Sequence, residues 1–228
     1  MHVVFREAQG LEETEIPVDL RQTPADLVVL SFSDSDLGAF SEGWKKEREG
    51  LPALRLANLV ALKHPLSVDT YIDQTLSGAK GILIRLIGGV QYWEYGLKQV
   101  YQLAQEKGIA LAVLPADGRE DIRLDEYSTI PKSTLQRLKK LTDTGGSKAA
   151  AAALAQLAIA AGLYAAPIIG DKSLPEVGYW SLEKGVVSEF VSSKNNQVVS
   201  IIFYRSFLAS EDMAAVERLS GAFVLLGY

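Results

Sequence analysis

Residues 81–115 read GILIRLIGGVQYWEYGLKQVYQLAQEKGIALAVLP. Gly81–Leu86 and Ile109–Leu114 are short, continuous apolar runs, the composition of strands covered on both faces. Between them a helix is predicted from near Tyr92, with Trp93, Gly96, Leu97, Val100, Tyr101 and Ala104 on one face. Gly108 stands where a helix ends in a left-handed residue, and Pro115 stops the second strand. A strand, a helix and a second strand in this spacing form a βαβ unit, whose two strands are parallel.

The same alternation extends outward. Ala25–Ser31 (ADLVVLS) is another buried-type strand, followed by N-cap candidates in Ser33-Asp34-Ser35-Asp36. Leu37, Phe40, Ser41 and Trp44 then recur at helical spacing, and Pro52–Leu59 reads as the next strand. Ser67 is the predicted N-cap of a helix whose face is Val68, Tyr71, Ile72, Thr75, Leu76 and Ala79, with Asp69 suited to the dipole of its first turn. Beyond Pro115, Ser133 and Gln136 have capping-box spacing for a helix to about Thr142. Gly145-Gly146 breaks the pattern, and an alanine-rich helix follows from Ser147 to about Ala161. The fold class is α/β: an open, mostly parallel sheet with helices on both faces, Rossmann-like or flavodoxin-like in its layering.

Periodicity is lost from Gly162 to Asn196, apart from a possible hairpin through Val186–Val191. Gln197–Tyr204 then reads as a buried-type strand, Ser210 as the cap of a helix through Leu219, and Phe223–Leu226 as a further strand. The predicted division is an N-terminal α/β domain (1–162), a connector (163–196) and the start of a second, truncated α/β unit (197–228).

The 228 residues are 48% hydrophobic and 22% charged, with a formal net charge of −5. These values suit a globular protein and argue against nucleic-acid or membrane-surface binding, which calls for a basic face. With no cysteine and two histidines, thiolate and all-histidine metal sites are excluded. Met1–Gly10 has no basic stretch followed by an apolar run, and no segment is apolar enough to span a bilayer, so a cytoplasmic protein is expected.

In open α/β sheets ligands bind beyond the carboxyl ends of the strands. The segments in that position here are Ser31–Asp36, Asn58–Pro65, Gly88–Trp93 and Pro115–Arg119. Gly88-Gly89 either makes the turn or brings backbone N–H groups to a ligand. Tyr92 can stack on a flat ring, whereas the helical phase of Trp93 makes it core. His64 either holds a turn or acts as acid, base or ligand. Asp117 binds a polar group or caps a turn. Arg55 and Arg85, inside strands, are either salt-bridged or aimed at an anion. Asn58 completes the candidate set. No phosphate-binding loop, dinucleotide fingerprint or nucleophile elbow occurs.

Several strings resemble the N-terminal region of the cobaltochelatase large subunit of CobN type, a relative of the magnesium chelatase large subunit. They are Val18–Leu20 with Pro24–Ser31 (PADLVVLS), Leu51–Leu59 (LPALRLANL), Leu62–Tyr71 (LKHPLSVDTY), Arg85–Gly96 (RLIGGVQYWEYG), Leu114–Asp117 (LPAD) and Ile201–Arg205 (IIFYR). The resemblance implies a part in ATP-dependent insertion of cobalt(II) into hydrogenobyrinic acid a,c-diamide, a ligase reaction that forms nitrogen–metal bonds. It implies AAA+ motor subunits as partners, ATP and magnesium acting in the full complex, and a corrin-precursor tetrapyrrole as substrate. It also implies that this segment, which needs no cofactor of its own and carries no catalytic residue, serves ring binding or subunit docking. Arg55 and Arg85 would suit the ring's carboxylates if they face it. The alternative is a free-standing α/β domain that binds a small molecule; an independent enzyme is disfavoured because no nucleophile or acid–base pair is visible.

Overall fold

The computed structural model describes residues 16–170, 174–189 and 198–227. The reading of Met1–Gly10 lies outside the described residues. Four strands, β1 (Leu27–Ser31), β2 (Leu54–Asn58), β3 (Gly81–Leu86) and β4 (Ala110–Pro115), form one sheet in the order β2-β1-β3-β4. All three pairings are parallel, and Ser31 at the end of β1 lies between Asn58 and Arg85. The helices of this region are α1 (Asp34–Lys46), α2 (Pro65–Gln74), α3 (Glu94–Lys107), α4 (Ile122–Asp125), α5 (Lys132–Thr144) and α6 (Ser147–Ala160).

Strand alternation sorts the core into two clusters, one on each face of the sheet. Val28, Leu30, Ile82, Ile84, Leu111 and Val113 pack with α2 and α3 through Val68, Tyr71, Leu97 and Val100. Leu27, Val29, Leu83, Ala112 and Leu114 pack with α1, α5 and α6 through Phe40, Leu138, Leu154 and Leu157. Both faces are covered, which is why these strands read as unbroken apolar runs. α6 is buried along most of its length, Ala149 to Ala155 included. Its alanines let α1 come close: a Cβ on Gly43 would lie 2.3 Å from the Ser147 carbonyl oxygen.

Side chains guard both sheet edges. At β4 the Thr129 and Ser128 hydroxyls accept from the Leu111 and Val113 N–H groups at 2.8 and 3.0 Å. At β2 the Gln22 amide donates to the Leu56 carbonyl (2.9 Å) and accepts from the Tyr71 hydroxyl (2.8 Å). The Gln22 carbonyl also accepts from Thr75 Oγ1 at 2.7 Å, tying the N-terminal segment to α2. Burial pushes the Tyr71 hydroxyl pKa well up.

Several boundaries differ from the sequence reading. Ser67 is not the cap of α2; its hydroxyl accepts from the Val18 N–H, and His64 caps the helix with Pro65 at its start. Val90–Tyr92 is a separate 3-10 turn, so α3 starts only at Glu94. The Ser133/Gln136 capping box is absent because α5 has already begun at Lys132, after Pro131. The hairpin is Tyr179–Ser181 with Gly185–Val187, β5 and β6; Val191 lies outside the described residues. Gln197 also lies outside them, and 198–204 is not a strand, having no paired neighbour among the described residues. Ser210 ends a helix instead of starting one: α7 is Arg205–Ser210 and α8 is Ala214–Leu225. Phe223–Leu226 falls on α8 and the turn after it, where residues of good helix propensity, Ala, Glu, Arg and Leu, prevail.

α7 packs on α1, with Ser210 against Gly38. The Arg205 guanidinium donates to the carbonyls of Thr144 (2.8 Å), Leu174 (3.1 Å) and Pro175 (3.1 Å). Glu211, in a left-handed conformation (φ 57°), accepts from Lys46 Nζ and Ser147 Oγ. Burial opposes ionisation of Glu211, but these two donors outweigh it and lower its pKa from 4.5. A lowered carboxylate pKa adds stability above the unfolded value, lost as pH falls through the folded one. Glu211→Gln is therefore expected to flatten the acid limb of a stability–pH profile below pH 4.5. At neutral pH the change should stay under about 1 kcal/mol, because solvent screens the pair. An unchanged acid limb would show that the pair does not couple to folding.

Candidate functional site

The chain runs from β1 out to β2 and back past β1 to β3, so strand order reverses between β1 and β3. Beyond their carboxyl ends lies the crevice where such sheets hold ligands. On the α1/α5/α6 side it is filled from within. Arg85 is 5% exposed. Its guanidinium donates to Asp36 Oδ1 at 2.7 Å and to Asp143 Oδ1 at 3.3 Å. Asp36 is held in turn by the Ser31 hydroxyl (2.9 Å), which also accepts from the Ser33 N–H (3.0 Å). Burial raises the Asp36 pKa above its ordinary 3.8, with Arg85 and the Ser31 hydrogen bond acting against the rise. Of the five guanidinium donors, the Nε of Arg85 is buried without a partner.

The other loops converge at this end. Asn58, at the tip of β2, donates to Asp34 Oδ1 (2.7 Å) and accepts from the Val60 N–H (2.9 Å). His64 Nδ1 accepts from the Leu66 N–H at 3.1 Å, so its ring does the work of a helix cap. The loops after β2 and β3 are joined where the buried Trp93 indole donates to the Leu62 carbonyl at 2.7 Å. Gly88 and Gly89 both have positive φ, 83° and 79°. A Cβ on Gly88 would sit 2.6 Å from the Tyr92 ring, and one on Gly89 2.8 Å from the Asp121 carboxylate. The double glycine therefore folds the Tyr92 ring back over the turn, edge-on to Phe32 at 5.7 Å between centroids. Tyr92 remains 61% exposed. Asp117 bonds locally, to the Arg119 N–H (3.2 Å) and guanidinium (3.3 Å).

Seven of the eight candidate residues thus lie at one end of the sheet, counting Arg85 at its base. Arg55 does not join them. Its guanidinium is spent on Thr23, at 2.9 Å to the carbonyl and 2.6 Å to the hydroxyl. Sequence reasoning missed Asp143 and Asp121 as members of the edge, and placed Phe32 there only as part of Ser31–Asp36. An arginine inside an apolar strand signals that a counter-charge exists, but not which one. Below the edge, a cleft of about 140 Å³ opens between α4 and α5, lined by Asp121, Ile122, Asp125, Lys132 and Lys139 among others. Among the described residues, no cluster of three or more His, Cys, Asp or Glu could hold a metal ion, and no helix is long and apolar enough to cross a membrane. The edge offers an exposed aromatic side chain, Tyr92, and mixed charge in Asp117, Arg119, Asp121 and Arg123.

These features define the class: a four-stranded parallel α/β domain, covered on both faces, with its candidate residues gathered at the strand ends. By sequence the chain belongs to the CobN family of cobaltochelatase subunits. It is 33% identical to the aerobic cobaltochelatase subunit CobN of a Sinorhizobium species over 97% of its own length. It is 36% identical over 146 residues to the CobN subunit of Pseudomonas aeruginosa. The chain spans only 18% and 12% of the lengths of those two relatives. A solved structure of the catalytic subunit of cobaltochelatase from Mycobacterium tuberculosis superposes with a TM-score of 0.65, over 88% of this chain and 15% of that one. At 21% identity, that match bears on the fold alone. No family model matches the chain.

Proposed function

We propose that this chain is the N-terminal region of the large, tetrapyrrole-binding subunit of an ATP-dependent cobaltochelatase. The complex would insert cobalt(II) into hydrogenobyrinic acid a,c-diamide in the cytoplasm, with cobalt as substrate and with ATP and magnesium handled by AAA+ partner subunits. The observation that carries this reading is the 33% identity to a CobN subunit along 97% of the chain.

Within that machine the segment binds; it does not catalyse. The strand-end edge, with Asn58, His64, Gly88, Gly89, Tyr92 and Asp117, is the surface proposed to meet the ring or a partner subunit. The crevice filled by Arg85, Asp36 and Asp143 speaks against the alternative, a free-standing domain with a small molecule at the strand reversal. Tyr92 is the residue best placed to act, being exposed, aromatic and held by a rigid turn. In the full-length subunit with its partners, Tyr92→Ala is expected to slow cobalt insertion about tenfold, the loss typical of one anchoring aromatic. Its folding stability should change by less than about 0.5 kcal/mol, as for other surface substitutions. Undiminished activity, or a loss traced to unfolding, would remove the edge from the proposal.

A further inference from the structure

The cleft between α4 and α5 carries charges of opposite sign on its two walls. Glu120, Asp121 and Asp125 come from α4 and the residues leading into it, whereas Lys132 and Lys139 stand two turns apart on one face of α5. The rest of the lining is largely apolar, with Leu114 and Leu135 buried and Ile122 exposed. A solvated surface ordinarily mixes its signs; here they are sorted by wall. Asp121 is met by Arg123 at 3.2 Å and Lys139 by Asp143 at 3.6 Å. Among the described residues, Glu120, Asp125 and Lys132 have no ion-pair partner. The two walls therefore stand too far apart to pair with each other. Lys132 opens α5, where the helix dipole works against a cation, so the stability of that helix does not account for it.

The room between the walls is about 140 Å³. An engineered cavity of roughly 150 Å³ takes up benzene, so the cleft suits a body of about six to ten heavy atoms. A molecule that fills it needs a cationic end for Glu120 and Asp125, an anionic end for Lys132 and an apolar stem for Leu114, Leu135 and Ile122.

The geometry points to a binding site for a small zwitterion, an ω-amino acid whose ammonium and carboxylate are held apart by a short methylene chain. The ammonium lies toward α4 and the carboxylate toward α5. An α-amino acid, with both charges on one carbon, does not reach both walls. Nothing in this inference depends on what the strand-end loops bind.

A titration of the 228-residue chain at low salt and neutral pH, followed by its amide NMR shifts, tests it. The probes are 6-aminohexanoate, hexanoate and hexylamine; the last two keep the stem and one charge each. 6-Aminohexanoate should bind with a Kd of about 1 mM or below, shifting amides of the cleft walls. Each singly charged probe should bind about fivefold more weakly or worse, the worth of one partly exposed charged contact. Lys132→Met should weaken 6-aminohexanoate about fivefold without weakening hexylamine, and Asp125→Asn should weaken it alike without weakening hexanoate. Both side chains are on the surface, so neither substitution should move the melting temperature appreciably. Three results would overturn the inference: no binding of 6-aminohexanoate at about 10 mM, equal affinity for the three probes, or unchanged affinity in Lys132→Met.

Discussion

Arg85→Met is expected to remove about 3–5 kcal/mol of stability at neutral pH, the cost of stripping one partner from a buried ion pair. Methionine fills much of the arginine's volume, so the loss is electrostatic and not a cavity effect. Among the described residues, Arg85 alone joins the carboxylates of α1 and α5 to the end of β3. Without it, Asp36 and Asp143 face each other, with Lys139 3.6 Å from Asp143 as the remaining cation at hand. Burial already raises the Asp36 pKa with Arg85 in place, and removing the cation raises it further. A carboxyl whose folded pKa lies above its unfolded value stabilises most below the unfolded value and loses that contribution as pH rises through the folded one. The variant's deficit should therefore be small near pH 4 and grow toward pH 7. Denaturant unfolding at both pH values checks this. A deficit that is flat with pH, or below about 1 kcal/mol at pH 7, would mean that the triad is not what closes the crevice.

This network also marks the limit of what the sequence could reveal. Gly81–Leu86 was legible to the residue, because a strand covered on both faces must be apolar throughout. So was the C-terminal end of α3, where Gly108 takes the predicted left-handed conformation (φ 65°). The partners of Arg85 were not, since they lie 49 and 58 residues away and meet it only once the sheet has formed. The cap read at Ser67 failed for a similar reason, whereas Ser33, among the candidates before α1, does cap that helix. Ser67 has the right chemistry to cap α2, but its hydroxyl is claimed by Val18, a contact 49 residues distant. At 198–204 the local signal is strong, yet pairing requires a neighbour that the described residues do not supply. Periodicity identified the elements; which polar groups they share was set by topology.

The edge follows the same rule. That the loops after β1, β2, β3 and β4 share one end needs only parallel strands, so the positions of Asn58, His64, Gly88 and Asp117 could be read in advance. What each side chain does there could not. His64 and Asp117 are occupied by local backbone and side-chain bonds. Tyr92 stays exposed, its ring folded back on a turn that has room for it because Gly88 carries no Cβ. The set of side chains left open at this edge is thus narrower than the set of residues that line it.

Gly43→Ala should cost about 3 kcal/mol, although alanine is the better helix former by about 1 kcal/mol. The added Cβ would fall 2.3 Å from the Ser147 carbonyl oxygen and 2.9 Å from the Ala151 nitrogen. Both obstacles are backbone of α6, so no rotamer change relieves them. α1 must move away from α6, loosening Phe40 and the run of buried alanines opposite. Separation would also strain the Lys46 and Ser147 contacts that hold Glu211 and α7. Gly221→Ala, in the exposed part of α8, is the control. A Cβ there meets nothing within 4 Å, so helix propensity alone should act, adding about 0.5–1 kcal/mol. Chemical denaturation of both variants separates packing from propensity. If Gly43→Ala proved as stable as the parent, α1 and α6 could not be packed as closely as described, and the alanine-rich character of α6 would need another cause.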